Sequence, residues 1–433
     1  MRGVRYIAAL ALVGAFAPAA RAQNPRARTD SLEARLRVLQ ARLDSLARVV
    51  AELRHQGNDT TAAHDDLAAL RAAAAAAAGF ADTAPPAAPT EFVDQSRSQP
   101  KLNPDISATG DIRVQTTRDA WGQDNVDVRE FELAFQSPLD PFSNTKIFLT
   151  FGHGEVGVEE GYAYWTGLPG HLRLDLGRFR EQFGELNRWH AHELPQSEYP
   201  LAIREYLGED GLSGDGVSLY WLAPVGGGAA GTHELWGQAT LADNPTLFAD
   251  GNRLAVLGHL NNFWSLSPAT FIQIGGSAIR GENPDSSLTS TVLGVDVRLN
   301  WRPPREGQYR SFVLRGEGFA ATRRRAGVSE TRYGGYVDSR YQLSRRLFLG
   351  ARVDYVEPFE APGAHVWGIV PTLTWWQSEW VYLRAEWQHQ SALGGGSGRY
   401  VFAGAGPAYG YAATDRFLIQ AVWAIGPHKH ETY

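Results

Sequence analysis

The chain has 433 residues, a formal net charge of −6 and no cysteine. The lack of cysteine excludes a disulfide framework and a thiolate metal site, and the mild negative charge argues against nucleic acid as a partner. Beyond the N-terminus no apolar run is long enough for a membrane-spanning helix, whereas 46 glycines and 13 tryptophans are typical of strands joined by tight turns.

The first 22 residues have the layout of a secretory signal peptide. Arg2 and Arg5 supply the positive start, Tyr6–Phe16 the apolar core, and Ala20-Arg21-Ala22 the small-residue cleavage pattern. A short membrane anchor is the alternative, but the apolar stretch is too short for a helix that spans a bilayer. We therefore expect cleavage before Gln23 and an exported mature protein.

A heptad pattern over residues 29–54 predicts an α-helical coiled coil. Its apolar positions alternate spacings of four and three, at Leu32, Leu36, Leu39, Leu43, Leu46, Val50 and Leu53. Asp30 is placed to cap the helix, with Glu33 three residues later. Such a stripe must be buried, so we expect the segment to self-associate in the periplasm; packing on its own domain is the alternative.

Residues 55–104 are expected to connect this helix to a second domain. The alanine run Ala72–Ala78 has a high helix propensity and little to bury, and Pro85, Pro86 and Pro89 indicate a stiff linker. We therefore place the domain boundary near residues 84–104.

Residues 105–433 show strand after strand with a period of two. In Ile106–Thr116 the even positions are apolar or small and the odd positions polar, and Phe131, Leu133 and Phe135 face away from Glu130 and Glu132. Runs of about ten to fifteen residues are long enough to cross a bilayer when tilted. The expected fold class is all-β: a transmembrane antiparallel β-barrel of about 16 strands, with about 18 as the next choice. A soluble sandwich is the alternative, but its strands are usually shorter.

Tryptophans recur beside short turns in this part of the chain. They are Trp165, Trp221, Trp264, Trp301, Trp375, Trp376 and Trp380. Because indole is half apolar and half polar, this recurrence predicts a girdle at one membrane interface. Tryptophans scattered through a core are the alternative.

Residues of opposite charge lie two positions apart, and so on one face, in several of the expected strands. The candidate pore-lining residues are Asp111 and Arg113, Asp296 and Arg298, Arg315 and Glu317, Asp338 and Arg340, Arg352 and Asp354, and Arg384 and Glu386. A barrel of this size encloses an aqueous channel, so we expect a water-filled lumen with zones of both charges. The alternative is an interior packed shut by strands that neutralise each other.

One connection, between the expected strands His171–Arg180 and Gly214–Pro224, is far longer than a usual hairpin loop. We expect residues 181–213 to fold over or into the pore and constrict it. The residues of this loop that are candidates for contact with solutes are Arg188, His190, His192, Glu193, Arg204, Glu205, Glu209 and Asp210.

The long loop also holds the weak candidates for metal binding, His190 and His192, since imidazole is a common metal ligand. A polar loop held by its own salt bridges is the preferred alternative, and we predict no bound cofactor. Ser197 is near in sequence, but nothing orients it as a nucleophile against a base. We therefore expect a protein that is not an enzyme.

Several segments together resemble a family of Gram-negative outer-membrane proteins. They are "LNPDIS", "REFELAFQSPLDP", "VEEGYAYW", "GLPG", "GRFREQFGELNRWHAHELPQ" and "GEDGLSGDGVSLYWLAP", strongest over residues 102–224 and weaker through the ending "GPHKHETY". Members are labelled porin-like, some as relatives of phosphate-selective O/P-type porins, others as TonB-dependent or zinc-regulated receptors. The resemblance implies an outer-membrane barrel, trimeric if the kinship with porins holds.

The chain departs from these relatives in two ways. The segment before the expected barrel reads as coiled coil, alanine run and linker, not as the folded plug that a TonB-dependent receptor needs. The candidate lumen arginines alternate with acids, whereas phosphate-selective pores carry a basic ladder.

These observations lead to one expected function and to alternatives from other classes. We expect an outer-membrane porin that passes small hydrophilic solutes or ions through a charge-lined lumen, with membrane lipid and copies of itself, as a homotrimer, for partners. The first alternative is an anchor that tethers the envelope to the cell wall through the coiled coil. An outer-membrane hydrolase or a metal-uptake receptor, using the histidines of the long loop, is the less favoured alternative.

Overall fold

The computed structural model describes residues 104–117, 125–152, 155–224, 231–244, 246–249, 253–284, 288–325, 327–393 and 414–426. The predicted signal peptide and coiled coil, and the linker up to residue 103, lie outside the described residues, as does the ending "GPHKHETY" after its first glycine.

The described residues form sixteen strands in one closed antiparallel barrel. Each strand pairs with its neighbours in the chain, and the first pairs with the last through Ala108–Thr117 and Arg416–Ile425. The predicted all-β antiparallel barrel of 16 strands is therefore confirmed. The strands are β1 (Asp105–Thr117), β2 (Asn125–Pro138), β3 (Ser143–Gly152), β4 (Glu155–Leu168), β5 (Leu172–Arg180), β6 (Ser213–Leu222), β7 (Thr232–Ala242), β8 (Leu254–Ser267), β9 (Thr270–Glu282), β10 (Thr289–Trp301), β11 (Phe312–Arg325), β12 (Val328–Gln342), β13 (Leu347–Val356), β14 (His365–Trp376), β15 (Val381–Leu393) and β16 (Thr414–Ile425).

The alternation in the sequence becomes the two faces of the barrel wall. In β10, Leu293, Val295 and Val297 are exposed on the outside, and Val295 keeps 67% of its surface accessible. Asp296, between two of them, is buried on the inside. Apolar residues outside and charged residues inside reverse the usual order of a protein folded in water, and this order is typical of a barrel surrounded by lipid.

The two ends of the barrel differ in the connections that they carry. One end, here called the turn end, has short connections such as residues 139–142 and 377–380, and the barrel begins and finishes there at Asp105 and Ile425. The opposite end, the loop end, has the long connection after β5. Six of the predicted girdle tryptophans lie near the turn-end termini of strands, and Trp380 lies in a turn at that end.

The strands β5 and β6 differ from the predicted bounds by one or two residues, for local reasons. His171 is not in the strand, because it adopts a left-handed conformation (φ 62°) in the turn after Gly170. β6 ends at Leu222, before Pro224, and proline has no N–H with which to continue a ladder.

Four register shifts interrupt the pairing of the wall in the described residues, and two of them are β-bulges that add a charged residue. The register between β1 and β2 passes from Glu130 to Val128 and leaves Arg129 as an extra residue. The register between β3 and β4 likewise leaves Glu159 as an extra residue. A bulge breaks the strict alternation and re-aims the extra side chain, here a charged one in both strands.

The connection between β5 and β6, residues 181–212, is here called the inner loop. It contains single 3-10 turns at Leu186–Arg188 and Ala191–Glu193 and a short helix, α1 (Leu201–Tyr206). No helix in the described ranges has the length and apolar character to cross a membrane. The core lies where apolar residues of the inner loop meet the inside of the wall: Phe183, Leu186, Leu194, Ile203, Tyr206 and Leu207 belong to one cluster with Phe319, Tyr336, Val356 and Phe359.

Candidate functional site

Polar contacts tie the inner loop to strands all around the barrel. They join Glu181 to Thr240 of β7, Gly184 to Ser277 of β9, Gln196 to Asp338 of β12, Ser197 to Glu386 of β15, and Glu198 to Arg416 of β16. Because these strands lie on different sides of the barrel, the loop crosses the interior of the barrel.

A carboxylate on β11 fixes the start of the inner loop. Glu317 Oε1 accepts hydrogen bonds from the backbone N–H groups of Glu185 and Leu186 at 3.0 and 2.9 Å, and from the Tyr336 hydroxyl at 2.6 Å. Gly184 has a positive φ of 61°, and a Cβ there would lie 2.0 Å from a carboxylate oxygen of Glu317. Glycine is therefore required both by the backbone conformation and by the close approach.

Glu185 brings the loop to a pair of arginines. Its Oε1 atom lies 3.0 Å from Arg298 Nη1 of β10 and 3.4 Å from Arg315 Nε of β11. Burial alone raises the pKa of Glu185, but the arginines outweigh this effect and lower it. The Arg315 guanidinium also lies over the Trp189 ring, 4.9 Å from its centroid. This side of the loop is thus held by ionised groups that are shielded from water.

Glu198 forms a second ionic centre, on the opposite part of the loop. It lies among three arginines: Arg416 at 2.5 Å, Arg204 at 3.0 Å and Arg113 at 3.4 Å. Burial by itself raises the pKa of Glu198, but these arginines lower it far below its ordinary value. Removal of one partner from such a buried group leaves the others without compensation, which is strongly destabilising.

The segment His190–Ala191–His192 faces the two strands that carry the bulges. His190 Nδ1 lies 2.6 Å from Glu132 Oε2 and 3.3 Å from Glu159 Oε2, and its Nε2 atom lies 3.3 Å from Glu160 Oε2. Arg180 pairs with Glu159 from the other side.

The neighbouring imidazole has a carboxylate of its own. His192 Nδ1 lies 3.1 Å from Glu130 Oε1. Burial lowers the pKa of both histidines, but the surrounding glutamates outweigh burial, raising the pKa of His190 well above its ordinary value and that of His192 to about 9. In the absence of a bound metal ion, both rings are therefore protonated and cationic at neutral pH.

The structure places all of the candidate pore-lining residues on the inner face of the wall. Arg298 and Arg340 are partly buried. The others are buried: Asp111, Arg113, Asp296, Arg315, Glu317, Asp338, Arg352, Asp354, Arg384 and Glu386. Their burial follows from the inner loop, which fills the space next to them.

The pairing of these residues along single strands is observed in β13, where Arg352 Nε lies 2.9 Å from Asp354 Oδ2. Elsewhere the contacts cross to other strands or to the loop. Arg315 pairs with Asp338 at 3.1 Å, and Glu386 accepts hydrogen bonds from the backbone and hydroxyl of Ser197. Spacing within one strand cannot reveal such partners, because they depend on the path of the loop.

The remaining candidates on the loop divide between the interior and its surface. Arg188 donates to Gln182, and Glu205 accepts from the backbone N–H of Phe359 at 2.9 Å. Glu193 is largely buried, and this burial raises its pKa despite the two nearby histidines. Arg204 connects Glu198 to Glu209. Glu209 and Asp210 are exposed.

Two cavities lie on either side of the inner loop. The turn-end cavity, of about 680 Å³, is lined by six basic side chains, Lys146, Arg180, Arg188, Arg298, Arg340 and Arg384, and by three acidic ones, Glu160, Glu193 and Glu379. The loop-end cavity, of about 910 Å³, has five arginines and seven acidic side chains in its lining. His190 and Glu160 line the first cavity and Glu159 the second, so this cluster forms part of the partition between them.

Sequence reasoning missed the glutamates around the histidines, Glu130, Glu132, Glu159 and Glu160. A signal for them is present in the doublet Glu159-Glu160. In a regular strand one of two adjacent residues faces lipid, so two consecutive carboxylates indicate a bulge that turns both inward. Arg129-Glu130 carries the same signal in β2.

No family model matches the chain. An uncharacterized protein of Aquifex aeolicus (strain VF5) is 39% identical over 94 residues, which are 22% of this chain and only 20% of that protein's length. The anion-selective porin from Comamonas acidovorans has a TM-score of 0.53 at 10% identity, covering 75% of this chain and 100% of that one. A loop L8 deletion mutant of OmpT, an outer membrane protein of Vibrio cholerae, has a TM-score of 0.50 at 10% identity, with 75% and 100% covered. The similarity to these two solved structures establishes a shared barrel fold.

Proposed function

We propose that the chain is an outer-membrane channel of the porin type, for small hydrophilic solutes or ions, and that the inner loop is its constriction. The observation that carries this proposal is the closed barrel with exposed apolar residues outside, such as Val126 and Ile425, and charged residues inside. Closure satisfies the backbone hydrogen bonds of every strand, which a lipid environment demands. The barrel fold is shared with a porin from Comamonas acidovorans.

The orientation follows from the two ends of the barrel. Barrels of this class have short turns on the periplasmic side and longer loops outside. The turn end, with its tryptophans, therefore faces the periplasm, and the loop-end cavity opens to the exterior. Solutes would enter the loop-end cavity, pass the inner loop near the His190 cluster and leave through the turn-end cavity.

Planar-bilayer recording of the purified full-length protein tests this proposal. We expect discrete current steps that are small for a barrel of this size, since the inner loop narrows the interior. The protein must first be shown to be folded by its shift in electrophoretic mobility on heating. A folded, inserted protein without current steps would falsify the channel and leave a membrane anchor as the better explanation.

We further propose that the protein works as a homotrimer and that residues 29–54 reinforce it from the periplasm. The heptad pattern supports self-association, because a stripe of leucines must be covered, while the number of three chains rests on the resemblance to porins. Replacement of Leu39 and Leu43 by aspartate buries two charges in the seam, at a severe energetic cost. Chemical crosslinking should then yield less trimer while the heat shift of the barrel persists. An unchanged crosslinking pattern would assign the oligomer to the barrel walls alone.

A further inference from the structure

We propose that His190, Glu132 and Glu159 form a binding site for a divalent transition-metal ion such as Zn²⁺. The site lies in the partition between the two cavities of the barrel. The proposal deepens the proposed channel, because an ion bound there would sit on the solute path, but its existence rests on geometry that does not depend on conduction.

The distances between the donor atoms suit such an ion. One ligand atom from each of the three residues lies within 4.8 Å of the other two. His190 Nδ1 is 2.6 Å from the Glu132 carboxylate and 3.3 Å from that of Glu159. Tetrahedral zinc with bonds of about 2.0–2.2 Å keeps its ligands about 3.3 Å apart, so small shifts of side chains are enough.

The second nitrogen of His190 is held as metal-binding imidazoles usually are. Nε2 lies 3.3 Å from Glu160 Oε2. A carboxylate that accepts the Nε2 proton fixes the ring tautomer and leaves Nδ1 with a lone pair for a metal. Glu160 is thus a positioning residue, which touches the imidazole and not the ion.

A β-bulge in the wall places Glu159 beside His190. Glu159 is the extra residue of the β-bulge in β4, and without the bulge it and Glu160 would face opposite sides of the wall. Its Oε2 atom is buried without a hydrogen-bond donor in the described residues, since the single Nδ1 proton of His190 lies closer to Glu132. The His190 ring, 3.3 Å away, offsets part of the cost of burying this oxygen, and a divalent ion in place of the imidazole proton would bond to it directly.

The charges of the cluster also favour a divalent ion. Glu132, Glu159 and Glu160 surround the His190 imidazole. The Arg180 guanidinium pairs with Glu159, and Glu130 pairs with His192. A divalent cation on neutral His190, together with Arg180, balances the three carboxylates, and the displaced imidazole proton leaves to solvent. One nitrogen and two carboxylate oxygens favour zinc-class ions over magnesium or calcium, which prefer oxygen ligands alone.

Zinc titration of the purified full-length protein in detergent tests the site. We expect one zinc per chain, with affinity reduced at least about tenfold in His190→Gln and in Glu159→Gln, since each removes a direct ligand. The matched control is His365→Gln, because His365 also lies near a carboxylate, 3.6 Å from Glu357, but outside the cluster. The heat shift of each variant shows whether the barrel is folded.

X-ray absorption at the zinc edge adds a test that needs no variant. We expect one imidazole nitrogen and carboxylate oxygens around the bound zinc. Zinc with oxygen ligands alone, no binding up to about 1 mM, or equal affinity in both variants and the wild type would each overturn the site. Because none of these measurements involves current, a protein that binds zinc but does not conduct contradicts the channel and leaves the metal site standing.

Discussion

At the scale of the single residue, Glu181 shows how a buried carboxylate ties stability to pH. Burial raises its pKa to about 7, although Thr240 donates a hydrogen bond that opposes the shift. Between the ordinary pKa of 4.5 and about 7, the folded protein keeps a proton that the unfolded chain has lost. The stability of the barrel should therefore fall as pH rises through this window and stay level above it.

Glu181→Gln isolates this effect, because glutamine keeps an oxygen for Thr240 and cannot ionise. We expect the variant to gain stability over the wild type as pH rises from 4.5 to 7, reaching roughly 3 kcal/mol above pH 7. Urea unfolding in detergent, followed by tryptophan fluorescence, measures the difference at each pH. Glu306→Gln, at an exposed glutamate, is the control and should show no such trend. A gain that is independent of pH would contradict the buried, shifted carboxyl.

Gly184 is a second residue whose substitution should have a measurable effect. A methyl group there meets the Glu317 carboxylate and disfavours the left-handed backbone, whereas Gly170 has a similar φ of 80° with no atom within 4 Å of its Cβ position. Gly170→Ala therefore bears only the backbone cost of about 1 kcal/mol. Gly184→Ala should in addition release the start of the inner loop and speed its cleavage by trypsin. Equal cleavage rates in the two variants would show that Glu317 does not hold the loop.

At the scale of the element, the sequence was sufficient to predict the strands. It was insufficient to predict which residues of the wall the inner loop contacts. Alternation in Ile106–Thr116 and around Phe131 shows which side of each strand faces lipid, so the strands could be predicted. Their number of 16 followed from the even strand numbers of bacterial barrels and not from the alternation itself. The length of the loop after β5 indicated its importance. The contacts of Glu198 with Arg113 and Arg416 could not be foreseen, because they join positions far apart in the chain through the path of one irregular segment.

The inner loop as a whole allows a test of the constriction. Replacement of residues 189–207 by a short Gly-Ser link removes the segment that contacts β2, β12, β13 and β15. We expect a severalfold larger single-channel conductance and weaker ion selectivity, because water then reaches lumen charges such as Glu386 and screens them. Glu306→Gln, at an exposed position in a turn outside the linings of both cavities, is the control and should leave the conductance near that of the wild type. If both variants conduct like the wild type, the inner loop does not limit the current.

At the scale of the whole molecule, the barrel holds two cavities of opposite character in series. Lysine and arginine outnumber acidic side chains six to three in the turn-end cavity, which His190 and His192 also line, and acidic side chains outnumber arginines seven to five in the loop-end cavity. Cations therefore concentrate at the loop end and anions at the turn end. A voltage that drives cations and anions toward the inner loop increases the concentration of ions there, and the opposite voltage decreases it.

The current through the proposed channel should consequently rectify. We expect a larger current when the loop-end compartment is positive, and a loss of this asymmetry at high salt, where charges are screened within a few ångströms. Lys146→Gln combined with Arg340→Gln removes two of the six basic side chains of the turn-end cavity and should reduce the asymmetry. Arg345→Gln combined with Arg346→Gln makes the same change in charge at exposed positions of the same end and should preserve the asymmetry.

The orientation of each inserted molecule can be determined by labelling, because the chain has no cysteine. Ser329→Cys places one cysteine at the exposed loop end, where an impermeant maleimide can reach it from one side of the membrane. A linear current–voltage curve at low salt, or an equal loss of asymmetry in both double variants, would mean that the two cavities do not govern the ion path.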